Sequence, residues 1–104
     1  MNIKLVQGDT RPSLEFTITK EGTAVDLTGA TVKFYMKNSS TGAVKINGAT
    51  CSILDTVNGV CQYNWTTNDT DTAGSYAGEV EVTFPNGSIQ TGFKQLSITI
   101  RDDI

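Results

Sequence analysis

Residues 69–84 read DTDTAGSYAGEVEVTF, and no other stretch narrows the choice of fold as much. The second half of this stretch, from Tyr76 to Phe84, alternates apolar and polar residues, which is the period-two pattern of a strand with one buried face. The first half is an acidic, threonine-rich segment that ends at Gly74, just before the strand. The stretch therefore predicts a loop that leads through a tight corner into a half-buried strand.

The same alternation recurs along the rest of the chain, and no window has a helical period. Asn-Gly pairs favour turns because both residues tolerate positive φ. Such signals, including Asn47-Gly48 and Asn58-Gly59, follow one another at short intervals. Short strands at this spacing are typical of a sandwich or barrel. We predict one domain over residues 1–104, with strands near 2–7, 13–20, 31–38, 44–54, 60–66, 75–84, 88–92 and 95–101.

The loop before Tyr76 favours one kind of sandwich. It resembles the tyrosine corner of immunoglobulin-like domains, in which the tyrosine hydroxyl ties a loop to its own strand. The spacing is one residue longer than the usual Asp-x-Ala-x-Tyr pattern, so an ordinary Asp/Thr/Gly loop is the alternative. We predict an all-β, immunoglobulin-like sandwich of about seven or eight antiparallel strands. Asp71, Gly74 and Tyr76 would then shape the corner, and Trp65 would be a large apolar anchor in the core.

Composition and charge exclude several classes of protein. Hydrophobic residues make up 38% of the 104 residues and charged residues 18%, which is too apolar for a disordered tail, and no long apolar run suits a membrane span. The net charge is −3, and the eight Lys and Arg are scattered singly, so we expect no nucleic-acid partner. Residues 1–7 lack the apolar run of a signal peptide, which predicts synthesis in a reducing cytoplasm.

The chain lacks the residues on which most catalysis depends. It has no histidine, which removes Ser-His and Cys-His nucleophilic sites and most zinc sites, and its glycines form no phosphate-binding loop. We therefore expect no enzyme activity, no catalytic residues and no cofactor. Asp69 and Asp71 are the only candidates we identify for a metal ion, calcium, but two carboxylates are a thin ligand set and a solvated turn is favoured.

Cys51 and Cys61 lie on either side of the Asn58-Gly59 turn. If this turn closes near residues 57–59, Cys61 faces about Asp55, and the two α-carbons lie roughly 10 Å or more apart, beyond the ~7 Å reach of a disulfide. We predict two buried free thiols that act as small hydrophobes. The alternative is a disulfide formed after a register shift or with another subunit.

Several motifs in order resemble a known family. They are Gly8-Asp9-Thr10-Arg11-Pro12, Val25-Asp26-Leu27-Thr28-Gly29-Ala30, Gly59-Val60-Cys61-Gln62-Tyr63-Asn64-Trp65 and the stretch from Asp69 to Gly87. From about Gly8 to Ile100 the chain is similar to the phage baseplate upper protein N-terminal (BppU-like) family, an immunoglobulin-like domain of tailed-phage structural proteins.

This resemblance implies a structural role without catalytic residues. The protein would be a virion component of the tail or baseplate, neck or head, made in the bacterial host cytoplasm. Its partners would be other virion proteins in a symmetric assembly, with no nucleic acid and no membrane. The alternative is a module that binds carbohydrate or a cell surface, as many β-sandwiches do. Such a module needs exposed aromatic side chains, and strand parity leaves Tyr35 and Phe93 as the best candidates.

Overall fold

A computed structural model describes residues 2–102 of the chain, except for the side chains of residues 92–95. Every regular element in the described range is a strand, and none of these residues forms a helix long and apolar enough to cross a membrane. The prediction of an all-β domain is confirmed. The ten strands are β1 (Asn2–Val6), β2 (Leu14–Thr17), β3 (Thr19–Lys20), β4 (Thr23–Ala24), β5 (Thr31–Asn38), β6 (Val44–Thr50), β7 (Ser52–Asp55), β8 (Val60–Tyr63), β9 (Gly74–Thr83) and β10 (Ile89–Arg101).

Two sheets face each other across the core. The larger has the order β1-β10-β9-β5-β6 and the smaller the order β2-β8-β7, while β3 and β4 form a separate short hairpin. In an immunoglobulin sandwich, strands A, B, E and D form one sheet and C, F and G the other, with additions beside C in variable-type domains. The strands β2, β8 and β7 occupy the positions of B, E and D, and β5, β9 and β10 those of C, F and G. The sandwich prediction is therefore confirmed.

The first strand departs from the predicted antiparallel arrangement. It pairs in parallel with the last strand, with Asn2 beside Ser97 and Val6 beside Arg101. The other strand pairs are antiparallel. No hairpin links β1 to the strand beside it, because the next strand of the chain lies in the smaller sheet, so an antiparallel pairing is not required.

The strand count is slightly higher than predicted, for local reasons. The predicted strand at 44–54 is divided at Cys51, because the chain crosses there from the larger sheet to the smaller one. The predicted strand at 13–20 divides into β2 and β3. Conversely, the predicted strands at 88–92 and 95–101 join into β10, with a shift in register between Thr91 and Gln95.

Strand β6 contains two irregularities in its pairing with β5, and at the first of them the sequence Asn47-Gly48 suggested a turn. Asn47-Gly48 forms no hairpin turn, because Phe34 pairs with Ala49 and Tyr35 with Asn47, so that Gly48 is the additional residue of a β-bulge at φ 80°. A second shift follows between Met36 and Lys37. A bulge bends its strand and redirects side chains, so this edge of the larger sheet is uneven.

The core lies between the two sheets and is built by the inward faces of their central strands. The three aromatic rings of Phe34, Tyr63 and Trp65 meet at its centre, with ring centroids 5.0 to 5.9 Å apart. Tilted and edge-to-face contacts of this kind add to the stabilisation that burial gives. The buried aliphatic side chains around them include Ile18, Leu27, Val32, Val80, Val82, Ile98 and Ile100.

Candidate docking surfaces

Tyr76 and Gly74 form the corner at the start of β9. The hydroxyl of Tyr76 donates a 2.8 Å hydrogen bond to the carbonyl of Thr72, four residues upstream. This is the geometry of a tyrosine corner. Gly74 adopts φ 153°, a conformation that L-residues rarely adopt, and a Cβ atom there would lie 3.6 Å from the Tyr76 ring. The corner fixes where the preceding loop leaves the sandwich.

Asp69 is a buried acceptor beneath this loop. Its carboxylate accepts a 2.5 Å hydrogen bond from the Tyr63 hydroxyl and a 2.8 Å hydrogen bond from the Thr66 backbone N–H. The pKa of Tyr63 is raised, first by burial and then by the hydrogen bond to Asp69. The carboxylate therefore holds the loop to β8.

Asp71, in contrast, is exposed and forms an ion pair with Lys45 of β6. The hydrogen bond from Lys45 lowers the pKa of Asp71. The two carboxylates that sequence analysis considered together for a cation thus have different protein partners. Within the described residues, no group of three or more His, Cys, Asp or Glu side chains is placed to hold a metal ion.

Thr70 links the same loop to the segment that follows β1, a contact that sequence analysis missed. Its buried hydroxyl donates to the Asp9 carbonyl at 2.9 Å, and its own carbonyl accepts from the Gly8 N–H at 2.9 Å. The Gln7 side chain donates to the Asp71 carbonyl at 2.7 Å. Nothing in the DTDT segment distinguishes the threonine that becomes buried from its neighbour, so the sequence carries no signal for this contact.

Trp65 lies two residues beyond the end of β8 and is 4% exposed. Its ring packs edge-on against Phe34 and Tyr63. Among the described residues, its indole N–H has no hydrogen-bond partner. The side chain therefore contributes apolar packing alone, as an anchor of the core.

Cys51 and Cys61 are buried free thiols in the structure. Cys61 pairs with Ile53 and not with Asp55, so the predicted register was wrong by two residues. The loop that joins β7 to β8 covers residues 56–59 and closes one residue earlier than expected. Burial raises the pKa of Cys61 to about 11, and burial followed by the charge of Cys61 raises that of Cys51 to about 12. Thiols in this state are weak nucleophiles.

The outer face of the larger sheet carries a shallow cleft of about 600 Å³ beside Tyr35. The Tyr35 ring lies against Gly48, where a Cβ atom would come within 3.1 Å of its hydroxyl oxygen, and this hydroxyl is 3.4 Å from Glu81. The bulge glycine thus covers part of one side of the ring. The side chain of Phe93, the second aromatic candidate, lies outside the described residues. The other lining side chains include Lys37, Val44, Asn47, Glu79 and Ser97.

The four edges of the two facing sheets differ in how regular they are. The edge at β6 has two register shifts and the edge at β7 has one. The pairings of β1 and β2 contain no shift. Large exposed apolar side chains are spread over several elements and include Val44, Leu54, Val57 and Ile89.

Comparisons with known proteins agree with this description. The family model of the BppU N-terminal domain matches residues 1–104. A comparison with curated protein sequences finds no match. Among solved structures, the crystal structure of CopC from Methylosinus trichosporium OB3b matches with a TM-score of 0.57 and 12% identity, over 99% of this chain and 86% of that chain. At this identity the likeness concerns the fold alone.

Proposed function

We propose that this chain, which belongs to the BppU N-terminal domain family of phage baseplate structural proteins, docks onto neighbouring virion proteins and catalyses no reaction. The family match over residues 1–104 carries this proposal. The surfaces that contact other subunits would carry out this function. The protein would be made in the host cytoplasm and then built into the particle.

The arrangement of polar groups supports a structural role. The buried carboxylate of Asp69 is occupied by the Tyr63 hydroxyl and a backbone N–H, and the buried Thr70 hydroxyl by the Asp9 carbonyl. Both thiols have raised pKa values, so neither is activated as a nucleophile. These groups hold the fold together and leave no poised acid, base or nucleophile among them.

Sheet edges supply the means of docking. An edge strand presents unpaired backbone N–H and C=O groups, which pair with a strand of another chain. Copies of one subunit usually assemble with closed symmetry, so a cyclic arrangement in the virion is part of the proposal.

The carbohydrate-binding alternative has weaker support. Among the described side chains it rests on Tyr35, because Phe84 is the other partly exposed aromatic and packs against the core. Gly48 lies against the Tyr35 ring, which limits stacking of a sugar on that side. We therefore retain protein docking as the proposed function.

The composition of purified virions tests this proposal. Quantitative mass spectrometry of particles from the encoding phage should find the chain at a fixed copy number, in proportion to known structural proteins. A phage with a stop codon in this gene should produce particles that lack the chain, and expression of the protein from a plasmid should restore it. Absence of the chain from wild-type particles contradicts the proposal.

A further inference from the structure

The edge of the smaller sheet at β2 lacks the neighbour that an immunoglobulin sandwich has at this position. In such sandwiches the first strand lies beside the second, in the sheet of order A-B-E-D. Here β1 pairs with β10 in the other sheet, and β2 is left at an edge. A place for one more strand is therefore open beside β2.

The register identifies the backbone groups that face this open place. The N–H of Ile18 donates a 2.8 Å hydrogen bond to the carbonyl of Gly59, on the side of β8. Bonded and non-bonded residues alternate along an antiparallel pair, so Phe16 also bonds towards β8. The N–H and C=O groups of Glu15 and Thr17 consequently point away from β8. Two donors and two acceptors are thus available to a further strand.

The other edges carry features that hinder strand pairing. Bulges and lysine side chains are recurrent means of protecting a sheet edge. The edges at β6 and β7 have shifted registers, and the exposed Lys4 lies in the middle of β1. The pairing of β2 with β8 is regular from Leu14 to Thr17. Of the four edges of the two facing sheets, the β2 edge is therefore the least protected.

Charge favours a partner other than a second copy of the chain. Two copies joined through β2 in the register that bonds Glu15 to Thr17 would place their Glu15 side chains diagonally, about 7–8 Å apart on one face. This distance is within about one Debye length, and each copy carries a net charge of −3. A strand with Lys or Arg beside the exposed Glu15 would instead form a favourable cross-strand pair.

We infer that the β2 edge binds an extended strand of a neighbouring virion protein, which pairs with the backbone of Glu15 and Thr17 and places a basic side chain beside Glu15. This inference rests on the proposed function, because it names the surface through which docking occurs. It assigns the docking contact to backbone hydrogen bonds at one edge, not to the cleft beside Tyr35.

Two substitutions alter the open edge of β2 and keep its pairing with β8. Thr17→Pro removes the N–H that faces the edge and leaves the bonds to β8 in place, because proline is tolerated where its nitrogen faces away from the ladder. Thr17→Val is the matched control, since it keeps this N–H. Glu15→Lys tests the charge and leaves the backbone unchanged, so it carries the test if Thr17→Pro does not fold.

Incorporation into particles is the first readout, with the gene carrying a stop codon and each variant supplied from a plasmid. We expect Thr17→Pro and Glu15→Lys to be incorporated at less than a tenth of the wild-type level, and Thr17→Val at the wild-type level. Wild-type incorporation of both edge variants overturns this inference and leaves the proposed function standing. Absence of the wild-type chain from particles overturns both.

Hydrogen exchange distinguishes strand pairing from other contacts. Amides in the peptide that contains Glu15 and Thr17 should exchange at least tenfold more slowly in particles than in the free protein. Equal exchange in the two states contradicts the inference. Sedimentation of the free wild-type protein should give a monomer, and a dimer that Thr17→Pro abolishes would show that the partner is a second copy.

Discussion

The hydroxyl of Tyr76 lies 2.8 Å from the carbonyl oxygen of Thr72, and this hydrogen bond closes the loop that precedes β9. In the same loop, Asp69 accepts a hydrogen bond from Tyr63 of β8, and Thr70 donates one to the segment after β1. This corner therefore joins the loop to β8, which lies just before it in the chain, and to the segment after β1, which lies 61 positions away. The stability of the sandwich should depend on this corner more than on the exposed turns.

Removal of the Tyr76 hydroxyl tests the corner directly. Tyr76→Phe keeps the buried ring and deletes the hydrogen bond, so we expect a loss of about 0.5–1.5 kcal/mol in the free energy of unfolding. Urea denaturation followed by tryptophan fluorescence measures it. Tyr35→Phe is the matched control, because the Tyr35 hydroxyl is at the surface with a 3.4 Å contact to Glu81, and it should have the smaller effect. Equal effects of the two variants would contradict the prediction.

The buried contact between Tyr63 and Asp69 should show strong energetic coupling. A double-mutant cycle with Tyr63→Phe and Asp69→Ala isolates the pair. We expect a coupling energy of about 1–3 kcal/mol, because a hydrogen bond to a buried carboxylate is stronger than one between neutral groups. Urea denaturation of the wild type, both single variants and the double variant measures this coupling. Additive effects would show that the 2.5 Å contact contributes little to stability.

Stability should fall at alkaline pH because of the buried thiols. The pKa values of Cys51 and Cys61 are raised from 9.0 to about 12 and about 11. A group with a raised pKa in the folded state stabilises that state below its unfolded pKa, and this contribution is lost as pH rises through the folded value. The free energy of unfolding should therefore decline from pH 9 to pH 11. Urea denaturation at a series of pH values measures the decline.

The double variant Cys51→Ala/Cys61→Ala is the control for this pH dependence. Its decline over the same range should be shallower, although its stability at pH 7 is lower because core volume is lost. Thiol titration adds an independent check, since the folded chain should react slowly and the unfolded chain should show two thiols under non-reducing conditions. Fewer than two reactive thiols in the unfolded chain would indicate a disulfide.

Gly59 should tolerate substitution less well than other glycines in turns. It has φ 69°, and a Cβ atom there would lie 2.8 Å from the carbonyl oxygens of both Ile18 and Val25. Gly59→Ala should cost more than the ~1–2 kcal/mol of left-handed strain alone. Gly42→Ala is the matched control, because Gly42 has φ 76° and nothing lies within 4 Å of its Cβ position. Thermal unfolding of both variants should rank Gly59→Ala as the less stable.

Strand positions could be predicted from the sequence because alternation is a local property. The pattern from Tyr76 to Phe84 directly reports which residues face the core, and the structure buries Tyr76, Val80 and Val82 as expected. Partners are not local, and the parallel pairing of β1 with β10 joins residues more than 90 positions apart. No pattern within β1 indicates which strand it lies beside.

Some local signals had more than one structural outcome. Asn-Gly supplies positive φ, which suits both a hairpin turn and a β-bulge, and Asn47-Gly48 takes the second form. The register of β7 against β8 depends on where the loop closes and on a shift in register between Ile53 and Asp55. Each of the two accounts for one residue, and together they pair Cys61 with Ile53 and not with Asp55. The open edge at β2 follows from which sheet β1 joins, and alternation alone does not determine that choice.

The parallel pairing of the first and last strands has a mechanical consequence. Because β1 and β10 run in the same direction, the chain enters this pair beside Asn2 and leaves it beside Arg101, at opposite ends of the ladder. Tension applied through the two termini therefore shears the pair lengthwise and loads its evenly spaced hydrogen bonds together, instead of opening them one after another. The strand pair at this edge of the larger sheet is therefore oriented to resist pulling.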